Sequence, residues 1–237
     1  MGIRLNKYLS LCGLGSRRKC DQYIEEGEIS INGKVVQDFS YRVQECDTVK
    51  YKNRVVEPEE TTYVIFNKPQ GVITTLDDPQ NRKNVGDYFK KLPYIKPVGR
   101  LDKDTTGVLL LTNDGDLLYK LTHPKYQIPK KYVVTLDSQV SGKIKNKIAQ
   151  GVTLENGEIA RGQIIRVKSK AHSIVTMILR EGKKREIRRM FAAIGYGVLE
   201  LDRVSFATLT YHGLQRGEWR YLKEKEINLL KKMTKDK

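Results

Sequence analysis

The chain has 237 residues, of which 39% are hydrophobic and 30% are charged, a composition typical of a folded protein with a real core. Lys and Arg outnumber Asp and Glu by 44 to 28, and the net charge of +16 indicates a polyanionic partner such as nucleic acid. No apolar run is long enough for a transmembrane helix, and no secretory signal pattern opens the chain. We therefore expect a cytoplasmic protein without a membrane partner.

Cysteine and histidine provide little material for a disulfide framework or a metal site. The three cysteines include no C-x-x-C pair, and the three histidines are scattered along the chain. Reduced thiols are therefore expected, and no metal-binding residue is predicted.

The first 55 residues are predicted to form a small unit of two helices followed by a sheet. Apolar residues at helical spacing predict a first helix in residues 5–12. Ser16 can cap a second helix, which Gly27 ends. Asn32 and Gly33 then form a hairpin signal between two predicted strands.

Basic residues precede the first acid in this unit. The segment RLNKYLSLCGLGSRRKCDQYIEEGEISINGKVV resembles the S4 RNA-binding domain in its order of elements, its Ser-Arg-Arg and its Ile-Asn-Gly-Lys hairpin. The resemblance implies a small αL-type RNA-binding domain, which with its linker occupies residues 1–60. Its expected RNA-binding residues are Arg4, Lys7, Arg17, Arg18 and Lys19. The alternative is a helical hairpin with solvated basic residues.

Residues 61–237 are predicted to form a second domain with a mostly antiparallel mixed sheet, so the whole chain is assigned to the α+β class. The segments predicted as strands are TYVIFNKP, GVITTL, KKYVVTLD, GQIIRVKS, HSIVTMILREG and the strand pair VLELDRVSFATL. The segments predicted as helices are DGDLLYKLTHP, SGKIKNKIAQG with Ser141 as its cap, REIRRMFAAIGY and LKEKEINLLKKM.

The stretch VGRLDKDTTGVLLLTNDG places an acid, Asp102, between Arg100 and Lys103 and just before an apolar run. A calcium-binding loop would need Glu at its twelfth position, where this chain has Asn113. A phosphatase nucleophile would follow an apolar strand, whereas here the apolar run comes after the acid. Taken alone, Asp102 stays open between a reactive carboxylate and a surface ion pair.

Four segments, taken in order, resemble the pseudouridine synthases of the RsuA/RluB/RluF type, which act on ribosomal RNA. They are NKPQGVITT, GRLDKDTTGVLLLTNDG, KKYVVTL and REGKKREIRRMFAAIGYGVLELDRV. Together with the S4-like segment, the resemblance covers nearly the whole chain.

The resemblance implies a reaction that breaks the uracil N1–C1′ bond and rejoins the base through C5. One carboxylate nucleophile suffices for this isomerisation, so no cofactor is expected. The resemblance identifies Asp102 as the catalytic residue, with Arg188 as its pairing arginine. It places Tyr132 beneath a flipped-out base and Leu201 at the closure of the pocket. Attack on the ring or on C1′ both stay open. The alternatives are core positions for Tyr132 and Leu201 and a phosphate-binding or solvated helix position for Arg188.

Further basic residues around these motifs are expected to hold RNA phosphates as a cluster: Arg100, Lys183, Lys184, Arg185 and Arg189. The expected partner is ribosomal RNA or a ribosome-assembly intermediate, bound by a monomer. The segments GVTLENGEIARGQIIRV and GEWRYL favour large-subunit over small-subunit RNA. The alternative from another class is a non-catalytic RNA-binding ribosome-assembly factor.

Overall fold

The computed structural model describes residues 2–92, 94–169 and 172–235. The chain divides into two compact units, residues 1–61 and residues 62–237. The elements of the first unit are β1 (Ile3–Arg4), α1 (Leu5–Leu11), α2 (Arg17–Glu25), β2 (Ile29–Ile31), β3 (Lys34–Val35), β4 (Arg42–Val43), β5 (Val49–Tyr51) and β6 (Arg54–Val55).

Local sequence signals explain the shape of the first unit. The Ser16 hydroxyl accepts a hydrogen bond from the Lys19 backbone N–H at 3.2 Å and so caps α2. Asn32 and Gly33 both have positive φ and connect β2 to β3 as a tight hairpin. The strands follow the order β3-β2-β5-β6. The core consists of Leu5, Leu9, Cys20, Ile24, Ile29, Ile31, Val43 and Val49.

The second unit contains most of the chain. Its helices are α3 (Gly115–Thr122), α4 (Ile144–Gln150), α5 (Glu186–Ala192) and α6 (Glu224–Met233). Its strands are β7 (Tyr63–Lys68), β8 (Lys96–Pro97), β9 (Thr105–Thr112), β10 (Lys130–Leu136), β11 (Val152–Thr153), β12 (Ile159–Ala160), β13 (Gln163–Ser169), β14 (Ser173–Leu179), β15 (Val198–Phe206), β16 (Leu209–Thr210) and β17 (Trp219–Tyr221). No helix in the described ranges combines the length and apolar character needed to cross a bilayer.

The main sheet has the order β13-β14-β10-β15-β9-β7-β17. Its neighbours are antiparallel except β15 and β9, which are parallel and pair Leu201 with Thr105 and Arg203 with Gly107. Only glycine fits at the last pair, because a Cβ on Gly107 would lie 2.3 Å from the Arg203 carbonyl oxygen. The predicted α+β class and mostly antiparallel mixed sheet are confirmed.

The central strands are covered on both faces. Every residue of β7 is buried, and so are residues 107–112 of β9. One face packs against a large apolar cluster that includes Phe66 and Leu109, and the other against a second cluster that includes Ile65 and Leu110. The continuous apolar run after Asp102 therefore reflects a strand in the middle of three layers.

Two local predictions are wrong. The segment GVITTL forms no strand, and only Ile73 makes an isolated bridge, to Asn84. The Thr74 hydroxyl instead donates to the Leu101 carbonyl at 2.6 Å, which holds this segment against the loop before β9. Ser141 is not the cap of α4, since the helix begins at Ile144.

A buried lysine joins the end of β7 to the loop before β9. The Lys68 side chain is fully buried, and its ammonium donates to the carbonyls of Thr105 at 2.8 Å, Asp102 at 3.1 Å, Pro69 at 3.1 Å and Lys103 at 3.3 Å. Burial lowers its pKa to about 8, against the opposing effect of the nearby carboxylates. This single side chain therefore fixes the backbone on which Asp102 stands.

The Lys68→Met variant tests this arrangement through the pH dependence of stability. The folded pKa of Lys68, about 8, lies below the ordinary 10.5, so the unfolded chain binds more protons between these two values. The wild type therefore gains stability from Lys68 as pH rises through this window, and the variant lacks this gain. We expect the difference in free energy of unfolding, wild type minus variant, to increase from pH 8 to pH 10.5 in urea titrations. A constant or decreasing difference would contradict a buried ammonium at this place.

Candidate active site

A cavity of ≈ 500 Å³ lies over one face of the main sheet in the second unit. Paired residues on neighbouring strands point to the same face, so the strand register decides which side chains meet there. The sheet contributes Thr105 from β9, Leu201 and Arg203 from β15, Lys130 and Tyr132 from β10, and Leu179 from β14. The loops before β9 and before α5 provide further walls.

Asp102 lies in the cavity lining, half-buried and three residues before β9. Its backbone carbonyl accepts from the Thr105 N–H at 3.0 Å and from the Lys68 ammonium at 3.1 Å. Within the described part of the chain, its carboxylate has neither a hydrogen-bond partner nor an ion-pair partner. The backbone is thus held firmly while the Asp102 carboxylate stays available to a ligand.

Tyr132 and Leu201 form part of the cavity floor and are 8% and 6% exposed. Tyr132 pairs with Arg203 across β10 and β15, and Leu201 pairs with Val134 on the same two strands. The structure therefore brings Asp102, Tyr132 and Leu201 to one cavity, although they lie up to 99 positions apart in sequence.

Arg188 lies outside the lining residues of this cavity. Its guanidinium donates to the Val198 carbonyl at 2.7 Å and to the Asp104 carbonyl at 3.4 Å. Burial lowers its pKa and the charge of Arg185 lowers it further, while Asp104 and Asp102 oppose both. The described residues contain no direct ion pair between Arg188 and Asp102; its Nη1 and Nη2 donate to backbone carbonyls, while its Nε is buried without a hydrogen-bond partner. The pairing with Asp102 stays a prediction.

The predicted phosphate-binding residues separate into two groups. Arg100, Lys183, Lys184 and Arg185 line the cavity and form a basic rim. Arg189 does not, because its guanidinium lies against Glu155 at 2.5 Å and Glu158 at 3.6 Å. Two acids therefore engage the Arg189 side chain away from the cavity, and its role in holding phosphate stays a prediction.

The cavity lining also contains ionisable residues that were not predicted from the sequence: His123, Lys130, Arg180, Glu181, Glu186 and Arg203. Lys130 stands two residues before Tyr132 on the same strand face, and that spacing was the signal available. Burial lowers the pKa of Lys130 to about 8 and raises the pKa of Glu186. The described residues include no group of His, Cys, Asp and Glu that could hold a metal ion.

The first unit has a basic surface of its own. Arg4, Lys7 and Arg17 surround a hollow of ≈ 290 Å³ together with Arg42, which the sequence did not single out. The remaining predicted residues, Arg18 and Lys19, are exposed on α2, and the Lys19 ammonium lies 5.0 Å from the Tyr23 ring centre. Basic residues of β1, α1, α2 and β4 thus line one hollow.

Comparison with known proteins agrees with both units. Residues 3–49 match the S4 domain, and residues 62–193 match the family described as RNA pseudouridylate synthase. The chain is 40% identical to ribosomal large subunit pseudouridine synthase B of Bacillus subtilis strain 168, over 98% of this chain and 96% of that protein. It is 35% identical to dual-specificity RNA pseudouridine synthase RluF of Escherichia coli K12, over 95% of this chain and 77% of that protein.

A solved structure titled as a pseudouridylate synthase superposes with a TM-score of 0.69 at 29% identity, covering 96% of this chain and 99% of that one. The resemblance drawn from the four sequence segments is therefore confirmed. The chain belongs to the RNA pseudouridylate synthase family, and it is an isomerase of uridine in RNA.

Proposed function

We propose that this protein converts a uridine of large-subunit ribosomal RNA into pseudouridine and that Asp102 is the nucleophile. The observation that carries the catalytic assignment is the unpartnered carboxylate of Asp102 at a cavity whose floor contains Tyr132. The printed names of the B. subtilis relative and of RluF support an RNA substrate, and the former specifies the large ribosomal subunit.

The cavity suits a base that has left its helix. Its volume of ≈ 500 Å³ lies within the range of roughly 300–1,000 Å³ common for ligand pockets. A flipped uracil loses its stacking in the RNA, and stacking on an aromatic ring returns roughly 1–3 kcal/mol. Tyr132 offers that ring, Leu201 closes the other side, and Asp102 lies beside the sugar or the base.

Arg188 has an indirect role in this proposal. It donates to the backbone carbonyl of Asp104, two residues after the nucleophile, and the charges of Asp104 and Asp102 partly oppose the burial that lowers the pKa of Arg188. We therefore assign Arg188 as a residue that positions the loop.

Basic residues in both units would hold the RNA backbone. The rim formed by Arg100, Lys183, Lys184 and Arg185 surrounds the entrance of the cavity. The hollow of the first unit would contact a second stretch of RNA. Residues 1–60 would thus serve RNA binding, and residues 61–237 would carry the reaction. We propose that the partner is ribosomal RNA or an assembly intermediate, met in the cytoplasm by a monomer.

The Asp102→Asn variant tests the catalytic assignment. An unmodified transcript of B. subtilis large-subunit ribosomal RNA is incubated with each protein and mapped for pseudouridine after carbodiimide treatment. We expect the wild type to introduce pseudouridine and Asp102→Asn to introduce none, because the amide is not a nucleophile.

Asp104→Asn is the matched control for this experiment. It changes an exposed carboxylate of the same loop, so it should keep most of the activity. Pseudouridine formation by Asp102→Asn would refute the assignment of Asp102 as the nucleophile. Wild-type activity on a small-subunit transcript alone would refute the proposed substrate.

A triple variant, Arg17→Ala with Arg18→Ala and Lys19→Ala, tests the role of the first unit. Each lost phosphate contact lowers the slope of log affinity against log salt by roughly 0.7–0.9, so we expect a decrease of about 2–3. Fluorescence anisotropy with the large-subunit transcript at several salt concentrations gives this slope.

The control removes the same number of charges from the C-terminal part of the chain, as Lys225→Ala with Lys232→Ala and Lys235→Ala. All three side chains are exposed. An equal decrease in both triple variants would show that only net charge matters and would remove the specific role of α2.

A further inference from the structure

The floor of the cavity contains two buried or half-buried cations, Lys130 and Arg203, on adjacent strands. They are near enough for Arg203 to lower the pKa of Lys130. Burying two positive charges side by side costs free energy, and apolar residues at these positions would avoid that cost. Their presence in the lining of the cavity calls for an anionic counterpart.

Arg203 has no such counterpart among the described residues. Its side chain is 2% exposed, its Nε donates to the Val108 carbonyl at 2.8 Å, and its guanidinium lies 5.0 Å from the Phe206 ring centre. One terminal nitrogen, Nη2, is buried without a hydrogen-bond partner. The guanidinium is therefore held rigidly with its charge uncompensated by any ion pair in the described chain.

Lys130 is better placed to meet a ligand. Its ammonium donates to the carbonyls of Ile128 at 3.2 Å and Glu181 at 3.3 Å, which uses two of its three N–H groups. The charged groups that act on it are Arg203, Glu186 and Glu181. Its third N–H has no partner in the described residues.

Glu186 is the buried acid of this cluster, and it is a poor counterion. One carboxylate oxygen accepts from the Lys183 backbone N–H at 3.0 Å, and the other is buried without a partner. Burial raises its pKa, which disfavours the negative form. The floor of the cavity thus stays electrostatically positive.

The reaction itself creates a negative charge at this place. In this inference Asp102 attacks C1′, so a bond from its carboxylate oxygen to C1′ forms as the N1–C1′ bond breaks. The electron pair of the broken bond stays with the uracil, which becomes an anion with charge on N1 and on the O2 and O4 carbonyl oxygens. C5 then uses a ring electron pair to bond C1′ and displaces the Asp102 carboxylate, after which the C5 proton leaves and N1 takes up a proton.

We propose that Lys130 is a further catalytic residue, whose free N–H donates to a carbonyl oxygen of the detached uracil, with Arg203 adding its buried charge from beneath. This inference rests on the proposed function. Fixed donors aimed at transient charge in a site that excludes water are the strongest form of electrostatic catalysis. The interaction strengthens only after bond cleavage, so it accelerates the reaction without tightening RNA binding.

The test compares Lys130→Met with Lys130→Arg in single-turnover reactions. The substrate is the large-subunit transcript made with C5-tritiated uridine, and release of tritium reports formation of the new bond. We expect Lys130→Met to lower the rate constant by roughly 100-fold, the effect of removing one such donor, with RNA affinity changed less than about twofold. Lys130→Arg should recover most of the rate. The control is Lys131→Met, whose side chain points to the opposite face of β10.

The pH profile distinguishes charge from structure. The protonated form of Lys130 is the active one, so the wild-type rate should fall as pH rises through about 8. Lys130→Arg keeps its charge, so its rate should fall less than that of the wild type there; any remaining fall comes from Lys68, whose pKa is also about 8. If Lys130→Met does not fold, as judged by circular dichroism, the pH profiles of wild type and Lys130→Arg alone test the role of Lys130.

Each result has a definite meaning. Active wild type with an unchanged rate in Lys130→Met would overturn the role of Lys130 and leave the proposed function intact. The same holds if wild type and Lys130→Arg share one pH profile. A wild type inactive on the large-subunit transcript would overturn the proposed substrate, and this inference with it.

Discussion

The parallel pairing of β9 with β15 is the constraint on which the candidate active site depends. Residues 105–107 lie beside residues 201–203, so the loop that carries Asp102 enters the sheet next to Leu201. Because β10 pairs with the other edge of β15, Tyr132 reaches the same cavity. The buried Lys68 ammonium then fixes this loop through the carbonyls of Asp102, Lys103 and Thr105. The register of β9, β15 and β10 determines which side chains form the cavity floor, and Lys68 holds the loop that carries Asp102 at its edge.

Positive charge has two physical roles in this protein. On α2 and on most of the rim of the cavity it is exposed, screened by salt, and suited to hold phosphates whose positions vary; Lys183 is half-buried and lies 3.5 Å from Glu181. Lys68 at the end of β7 and Arg203 in the cavity floor are buried, and Lys130 beside Arg203 is half-buried; in such surroundings a charge acts more strongly and costs more free energy to keep. In our proposal, the first group provides the affinity for RNA. The second group accounts for a loop held in one geometry and, in our proposal, for the stabilisation of a transient anion.

Much of this arrangement could be predicted from the sequence, and there are physical reasons why the rest could not. Asp102, Tyr132 and Leu201 each lie within a short unbroken motif, so the resemblance to the family pointed to them. A charged residue in a strand suggests a solvent-facing position, so nothing in the sequence gave a reason to place Lys130 and Arg203 in a cavity. The partners of Arg188 and Arg189 depend on side-chain directions and on acids more than 30 residues away, such as Glu155. The segment after Gly71 has strand-like composition, but hydrogen bonds of Thr74 hold it as a loop.

The central claim is that one uridine leaves its RNA helix and enters the cavity between Tyr132, Leu201 and Asp102. The most direct measurement is a crystal structure of Asp102→Asn bound to a fragment of B. subtilis large-subunit ribosomal RNA that the wild type modifies. The account predicts electron density for a flipped uridine with its ring against Tyr132 and its sugar or base beside residue 102. A complex in which the target uridine remains stacked in its helix, with the cavity empty, would contradict it.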